Sequence, residues 1–235
     1  MLDLHSHVLP KIDDGAKDVE MSLEMLKEAK RQGVNVLCAT PHCVTDKEEG
    51  ITAFLEKRKH AYEKLISAME NSEEYPKILL GAEVYLGCDM SDFSNLHDLC
   101  YEGTDYILLE LPHGYKPSEL AEKVYNIKIK GMKPVIAHVD RYSSYKEIVE
   151  ELAPLDVVFQ LNASQFKTMS GRKILKNVFR MYDKFVVSTD MHNLTERPCN
   201  IEMAYKMASK KFRDVADMLF ENGGECIIGN KPFDI

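Results

Sequence analysis

Residues 2–7 read Leu-Asp-Leu-His-Ser-His, a short run in which apolar and polar side chains alternate. In a β-strand, residues two apart share a face, so His5 and His7 would project together, roughly 7 Å apart along the backbone. A loop that contains Pro10 and Gly15 follows at once. We therefore expect a strand that ends in two imidazoles. This placement suits a metal ion, although two hydrogen-bonded histidines would give the same pattern.

The bulk properties of the chain exclude several classes of function. Its 235 residues are 45% hydrophobic and 29% charged, as in globular proteins with a sizeable core. A formal charge of −8 argues against nucleic-acid binding, which relies on basic surface. No run approaches the roughly 18 apolar residues that a membrane helix needs, so we expect no direct membrane insertion. Six scattered cysteines without a C-x-x-C pair, and no signal peptide, predict reduced thiols and a cytoplasmic location.

Seven apolar strand candidates alternate with helical patterns along the chain, which favours a parallel α/β architecture. The candidates are residues 2–7, 34–40, 77–85, 106–111, 134–137, 156–161 and 185–188. A short β-like run at residues 226–228 closes the chain. No linker-like stretch or charge block marks a boundary, so we expect a single domain over residues 1–235.

Metal-competent or polar side chains follow almost every strand candidate. They are His5, His7, His42, Glu83, Glu110, His138, Asn162, Asp190 and His192. In a parallel barrel the carboxyl ends of all strands lie on one face, and that face carries the active site. Taken singly, Glu110 could be an edge residue and His138 a core histidine. Taken together, imidazoles and carboxylates without thiolates predict a site for Mn, Zn or Fe.

Several motifs resemble one protein family in order along nearly the whole chain. Residues 3–10 and the Asp-Asp-Gly-Ala of residues 13–16 resemble the opening of the PHP (polymerase and histidinol phosphatase) superfamily. The Asp-Asp-Gly-Ala form is typical of its capsule-biosynthesis branch, the manganese-dependent protein-tyrosine phosphatases of CpsB or YwqE type. Further matches are Ala-Thr-Pro-His at 39–42, Gly-Ala-Glu at 81–83, and residues 106–110, 134–138 and 188–193.

The resemblance implies a distorted (β/α)7 TIM-like barrel, the PHP fold, with the active site at the carboxyl ends of the parallel strands. It also implies a cofactor of three divalent metal ions, manganese first, with iron or zinc as alternatives. By motif, two ions would be held by His5, His7, Glu83, Glu110, His138 and Asp190. Glu110 would bridge them. The third ion would be held by Asp14, His42 and His192, and Glu83 would fall on either side of this division.

Two arginines match the family pattern and would act on substrate. Arg141 and Arg197 would bind the non-bridging phosphate oxygens and stabilise charge in the transition state. The acidic residue before Arg141 is Asp140, where the family has a longer Glu, so its role is open. The acidic loop at residues 43–50 also departs from the family's usual sequence.

The implied reaction is hydrolysis of phosphotyrosine in proteins by a hydroxide that bridges the metal ions. Either His42 or a metal-bound water would serve as the acid. The implied partner is a tyrosine-phosphorylated protein, namely the tail of an autophosphorylating bacterial tyrosine kinase of capsular or exopolysaccharide synthesis. One alternative is a small-molecule phosphomonoesterase of histidinol-phosphate phosphatase type. Another is a non-catalytic metal-binding scaffold.

Overall fold

Nine parallel strands and seven α-helices make up the chain in a computed structural model, which describes residues 1–233. The strands are β1 (Leu2–Ser6), β2 (Val36–Ala39), β3 (His42–Cys43), β4 (Lys77–Leu80), β5 (Glu83–Tyr85), β6 (Tyr106–Glu110), β7 (Lys133–Ile136), β8 (Val158–Asn162) and β9 (Phe185–Ser188). The helices are α1 (Val19–Arg31), α2 (Glu48–Ser67), α3 (Pro117–Ile129), α4 (Tyr145–Leu152), α5 (Met169–Val178), α6 (Ile201–Lys211) and α7 (Gly223–Ile228).

The strands form two parallel sheets, ordered β1-β2-β4 and β3-β5-β6-β7-β8-β9. Seven candidates give nine strands because the predicted strand at residues 77–85 is interrupted, and because a further short strand, β3, follows the predicted strand at residues 34–40. Thr40 and Pro41 separate β2 from β3, while Gly81 and Ala82 separate β4 from β5. A proline cannot donate to a ladder, and a glycine weakens a strand interior, so breaks at these positions are expected. Beyond each break the same two chain segments pair again, as β3 with β5.

Strands β1 and β9 lie next to each other where the ring would close, but they do not form a regular strand pair. A single bridge joins Ser6 to Met191. The amide of His7 donates to the carbonyl of Met191 at 2.9 Å, and the amide of Asp190 donates to the carbonyl of His5 at 2.9 Å. The hydrogen-bond ladder is therefore not closed. The predicted parallel architecture is confirmed, in the distorted form of a barrel.

A buried carboxylate ties this seam together below the strand ends. Asp3 accepts hydrogen bonds from the amide and the hydroxyl of Thr189, at 2.9 and 2.5 Å. Burial raises the pKa of Asp3 to about 6, although the bonds from Thr189 act in the opposite direction. Asp3 shares the inward face of β1 with His5 and His7, as the alternation predicts. It holds β1 and β9 in place beneath them.

Helix α1 illustrates how the outer layer follows from the sequence. Asp18 caps its first turn by accepting a hydrogen bond from the amide of Met21, and Gly33 follows its end at φ +88°. Only glycine adopts this left-handed conformation without strain, so Gly33 lets the chain turn away at the end of the helix. The apolar face of the helix packs into the core through Met25 and Leu26.

The expected closing strand at residues 226–228 is wrong, because this segment belongs to helix α7. Three apolar residues in a row fit both the two-residue period of a strand and the 3.6-residue period of a helix, so tertiary packing determines which of them forms. A side chain at Gly223 would meet Phe233 and Val186 within 2.9 Å, and one at Gly224 would meet Leu2 at 3.1 Å. The two glycines therefore let the helix pack closely against β1 and β9. Among the described residues, no helix is long and apolar enough to cross a membrane.

Candidate metal centre

The fold brings together all nine residues that the sequence analysis assigned to metal ions. Seven of them lie in the last residues of a strand or in the loop after it, at one end of the ring, while His42 and Glu83 begin the short strands β3 and β5 that follow β2 and β4. Most of them are buried, with exposed side-chain fractions between 0 and 4% for His5, His7, Glu83, His138, Asp190 and His192. His42, Glu110 and Asp14 are more accessible, at 28%, 22% and 66%. The cluster is thus deep on one side and open on the other.

Glu83 occupies the middle of the cluster. Its Oε2 lies 3.2 Å from Nε2 of His5, 3.2 Å from Nε2 of His7 and 3.0 Å from Nδ1 of His42. Its Oε1 lies 2.8 Å from Nε2 of His138. One carboxylate therefore faces four imidazoles from three other strands, which makes Glu83 the most central carboxylate of the group.

Asp190, in the loop after β9, approaches two of the same histidines. Its Oδ1 lies 3.5 Å from Nε2 of His5, 3.4 Å from Nε2 of His7 and 3.5 Å from Nδ1 of His192. Its other carboxylate oxygen faces away from these rings, toward the rim. Asp190 therefore links the buried histidines to the open side of the site.

Glu110 and Asp14 complete the cluster at its accessible edge. Glu110 lies 3.7 Å from Nε2 of His138 and 3.9 Å from Nδ1 of His42. Asp14 Oδ1 lies 3.4 Å from Nε2 of both His42 and His192. The loop after β1 thus returns Asp14 to the histidines that the sequence analysis paired with it.

Three groups of side chains have ligand atoms close enough to share an ion, within 4.8 Å of one another. They are His7, Asp14, His42 and His192; His5, His7 and Asp190; and His42, Glu83 and Glu110. The first contains the set expected for a third ion, with His7 added. His138 lies outside these three groups but contacts Glu83.

Several buried atoms of the cluster make no hydrogen bond, although charged or polar atoms lie close to some of them, and this tests whether the residues fit metal ions. They are Oε2 of Glu83, Oδ1 of Asp190, Nε2 of His192 and Nδ1 of His138. Burying carboxylate oxygens without a partner is costly, and a cation is the partner that several of them can share. Nitrogen and oxygen donors without thiolates are the set that suits Mn, Fe or Zn. The donor set therefore fits divalent metal ions.

Second partners orient the imidazoles so that their Nε2 atoms face the cluster. His5 Nδ1 lies 3.0 Å from Oε1 of Gln160, which also accepts a 2.6 Å hydrogen bond from the amide of His138. His192 Nδ1 lies 3.0 Å from the carbonyl of Asp190. A carbonyl oxygen can only accept, so the ring proton sits on Nδ1 and leaves the Nε2 lone pair free.

Asp13 has the same role for His7 and was missed by the sequence analysis, which singled out only Asp14. Asp13 Oδ2 lies 2.7 Å from Nδ1 of His7 and accepts a 3.1 Å hydrogen bond from the amide of His42. A side chain at Gly15 would lie 2.1 Å from the carbonyl of His7, so only glycine permits this close turn. The two adjacent aspartates thus serve different histidines, a division that the sequence does not signal.

The charges of the cluster shift each other's pKa values. Burial opposes protonation of His5 and His7, yet facing carboxylates raise the pKa of both, with Glu83 the main influence on His5 and Asp13 on His7. Burial likewise opposes ionisation of Glu83 and Asp190, but the histidines lower the pKa of each well below its usual value. The imidazoles and carboxylates therefore form a coupled network that holds opposite charges close together.

Two residues of the cluster have backbones in the left-handed region. His138 has φ +32° and Asp190 has φ +53°, and each stands two residues after the end of its strand. This conformation is strained for residues other than glycine, and such strain is concentrated at functional sites. The sharp turn redirects each side chain from the strand end into the cluster.

Arg141 and Arg197 meet at the same oxygen of Asp190. Arg141 Nη1 lies 3.1 Å and Arg197 Nη2 lies 2.6 Å from Oδ2. Their side chains are 46% and 37% exposed, so both guanidinium groups retain donors for another anion. A cavity of about 250 Å³, lined mainly by polar groups, lies beside them.

Asp140 does not contact the cluster. Its Oδ1 accepts a 2.8 Å hydrogen bond from the amide of Asn162, and its Oδ2 accepts one from Nε2 of Gln165 at 2.8 Å. Burial raises the pKa of Asp140 to about 6. The shorter acidic residue thus fastens the turn before Arg141 to the end of β8, and its open role is structural.

Parallel strands around a centre of imidazoles and carboxylates, with two arginines at the rim, define a barrel-type α/β protein with a candidate metal centre. The chain belongs to the capsular polysaccharide synthesis family CpsB/CapC, whose model matches residues 1–228.

Named relatives cover nearly the whole chain. Tyrosine-protein phosphatase CpsB of Streptococcus agalactiae serotype III (strain NEM316) is 29% identical, over 98% of this chain and 99% of that protein. Tyrosine-protein phosphatase YwqE of Bacillus subtilis (strain 168) is 26% identical, over 98% of this chain and 92% of that protein. The family expected from the sequence motifs is confirmed.

Solved structures agree with this assignment. A structure from a study of YwqE from Bacillus subtilis and CpsB from Streptococcus pneumoniae, described as unique metal-dependent tyrosine phosphatases, matches with a TM-score of 0.80 at 25% identity. The match covers 98% of this chain and 95% of that one. Histidinol phosphate phosphatase from Lactococcus lactis matches with a TM-score of 0.54 at 13% identity, over 88% and 93% of the two chains, which indicates a shared fold.

Proposed function

We propose that this chain is a metal-dependent protein-tyrosine phosphatase. The observation that carries the proposal is the position of Asp190 between two kinds of group. One of its carboxylate oxygens faces the histidine cluster, and the other accepts hydrogen bonds from Arg141 and Arg197. A phosphate group on the cluster would therefore lie within reach of both guanidinium groups. The relatives named tyrosine-protein phosphatases support phosphotyrosine as the substrate.

The proposed cofactor is three divalent metal ions, with manganese as the first choice. His5, His7, Glu83, Glu110, His138 and Asp190 would hold two ions, and Asp14, His42 and His192 would hold the third. Because Glu83 faces four imidazoles, its carboxylate would serve either of these two ligand sets. When bound, such ions supply positive charge for a phosphate dianion and lower the pKa of a water molecule toward neutrality. The bound ions would also make the electrostatic potential positive at this site, although the protein as a whole has a formal charge of −8.

The chain's own residues would bind and orient the substrate. Arg141 and Arg197 would donate to the non-bridging phosphate oxygens and stabilise the charge that develops there, since a planar guanidinium matches two such oxygens. Their shared bond to Asp190 holds both groups at the rim before substrate arrives. His42, which is 28% exposed, lies at the accessible edge of the cluster, where its imidazole would either hold an ion or donate a proton to the tyrosine oxygen as it leaves.

The partner we propose is a tyrosine-phosphorylated protein, specifically the tail of an autophosphorylating bacterial tyrosine kinase of capsule or exopolysaccharide synthesis. The family's description in capsular polysaccharide synthesis supports this choice. We also propose a cytoplasmic location and a single PHP phosphatase domain over residues 1–235. All six cysteines are unpaired, which supports a reducing compartment.

The alternative substrate is a small phosphomonoester of histidinol-phosphate type. Its support is the fold likeness to the Lactococcus lactis enzyme, at 13% identity. The cluster itself is open at Asp14 and the arginines, which favours a substrate attached to a polypeptide over an enclosed small molecule. We therefore prefer the protein substrate.

A direct assay separates these possibilities. The purified protein, supplied with Mn²⁺, would be tested on a phosphotyrosine peptide and on histidinol phosphate at equal concentrations. We expect a higher kcat/KM for the peptide. A strong preference for histidinol phosphate would overturn the substrate assignment, and no hydrolysis of either would leave the metal-binding scaffold as the better account.

A further inference from the structure

A second cavity borders the cluster at His42, and neither Arg141 nor Arg197 lines it. It has a volume of about 460 Å³, and Asp13 and His42 form part of its wall. Five of its remaining wall residues are apolar, namely Ile12, Cys43, Val44, Ala53 and Phe54, and the others are Thr45, Gly50 and Lys57. The two sides of the cluster therefore differ in polarity. The arginine side is charged, and the side next to His42 is largely apolar.

The wall of this cavity is held in place by local contacts. Thr45 Oγ1 accepts a 3.1 Å hydrogen bond from the amide of Lys47 and donates a 2.9 Å bond to its carbonyl. A side chain at Gly50 would collide with Thr45, so glycine lets the loop lie against the first turn of α2. The loop at residues 43–50, which departs from the family's usual sequence, thus has a defined conformation beside the cluster.

Val44 is an exposed apolar side chain at the lip of this cavity. It is 69% exposed, whereas its neighbour Cys43 is buried and Phe54 is only 9% exposed. Leaving an apolar side chain in water forgoes the favourable free energy of its burial. An apolar group bound in the cavity would cover Val44 and recover that free energy.

We propose that this cavity receives the aromatic ring of the phosphotyrosine and gives the enzyme its preference for aryl phosphates. The inference rests on the proposed function and deepens it. Phosphotyrosine has a dianionic end and an apolar end, and the site offers arginines on one side and an apolar cavity on the other. His42, which borders both the cluster and the cavity, would then lie next to the phenolic oxygen. The side chain of phosphoserine has no apolar ring to fill the cavity.

Two substitutions test the proposal. Ala53→Trp fills the cavity from the exposed face of α2, and Val44→Ser removes the apolar lip. Glu56→Trp is the matched control, because Glu56 is exposed on the same helix and does not line the cavity. For each protein, kcat/KM would be measured with Mn²⁺ on p-nitrophenyl phosphate and on phosphotyrosine and phosphoserine peptides of the same sequence. The inhibition constant of inorganic phosphate would be measured alongside.

We expect Ala53→Trp to lower kcat/KM on both aryl substrates by about tenfold or more, and Val44→Ser by less. The inhibition constant of phosphate should stay unchanged, as should any residual activity on phosphoserine. Equal losses in Ala53→Trp and Glu56→Trp would overturn the proposal. A parallel loss of phosphate binding would also overturn it, because the effect would then lie at the metal centre. If the unchanged protein does not hydrolyse phosphotyrosine, the proposed function itself fails.

Discussion

His7 and Asp13 form the shortest contact between a histidine of the cluster and a carboxylate outside the nine predicted ligands, at 2.7 Å from Nδ1 to Oδ2. Burial works against ionisation of Asp13, but the contact with His7 lowers its pKa to about 2. Asp13 is therefore ionised at neutral pH. It fixes the ring proton of His7 on Nδ1 and directs Nε2 toward the cluster.

Replacing Asp13 tests this orienting role. Asp13→Ala should weaken metal binding by about 10–100-fold, the usual loss when the partner of a ligating histidine is removed. Metal affinity would be measured by titration of the metal-free protein with Mn²⁺. Glu20→Ala, at an exposed acidic position on α1, is the control for the loss of a negative charge. Unchanged affinity in Asp13→Ala would show that His7 needs no such partner.

The two arginines should act on substrate and leave metal binding intact. Arg141→Ala and Arg197→Ala should each lower kcat on a phosphotyrosine peptide by about 10²–10³-fold, as expected for removal of a donor to developing charge. Lysine at either position should restore only part of the activity, since it lacks the planar fork. The measurement is steady-state kinetics together with metal content, with exposed Arg180→Ala as the control. Full turnover in both alanine variants would remove the arginines from the mechanism.

Asp140 should matter for stability more than for chemistry. Asp140→Ala leaves the buried amide of Asn162 without its acceptor, which should cost about 1–3 kcal/mol in the free energy of unfolding. Asp140→Asn keeps an acceptor for Asn162 and should cost less, with kcat nearly unchanged. Urea denaturation and peptide hydrolysis would check both effects. A large loss of kcat in a stably folded Asp140→Asn protein would indicate a catalytic role.

Stability without metal should depend on pH in a direction that the histidines set. Facing carboxylates raise the pKa of His5, His7 and His42 above 6.5, despite the opposing effect of burial. Protonated histidines therefore contribute stability that is fully present below pH 6.5 and is lost as the pH rises through their raised pKa values. Bound cations would replace those protons, since ligating histidines must be neutral.

Thermal unfolding measures this effect. We expect Tm of the chelated protein to fall as the pH rises above about 6.5, and the fall to be much smaller with saturating Mn²⁺. A chelated protein that becomes more stable over the same range would contradict the assignment of charges in the cluster.

Much of the site could be predicted from the sequence because each ligand follows an apolar strand. His42, Glu83 and His138 follow β2, β4 and β7, and parallel strands bring their carboxyl ends to one face. Asp13 could not be separated from Asp14 in this way, because the choice depends on how the loop turns at Gly15. The left-handed backbones of His138 and Asp190 could not be predicted either, since this conformation is uncommon for any residue other than glycine.

The fold was predicted well where periodicity extends over many residues and poorly where packing decides. The thirteen residues of α1 show a clear helical period and a capping residue. Residues 226–228 are too few to distinguish a strand from a helix, and the close packing at Gly223 and Gly224 selects the helix. The breaks after β2 and β4 occur at Pro41 and Gly81, which can be seen in the sequence. The sequence does not show how the strands divide into two sheets.

Metal-dependent turnover tests the central claim most directly. The protein would be freed of metal by a chelator, shown to be metal-free by elemental analysis, and assayed on a phosphotyrosine peptide before and after Mn²⁺ is restored. The account predicts no turnover without metal, recovery with Mn²⁺, and close to three ions per chain at full activity. Undiminished hydrolysis by the metal-free protein would contradict it.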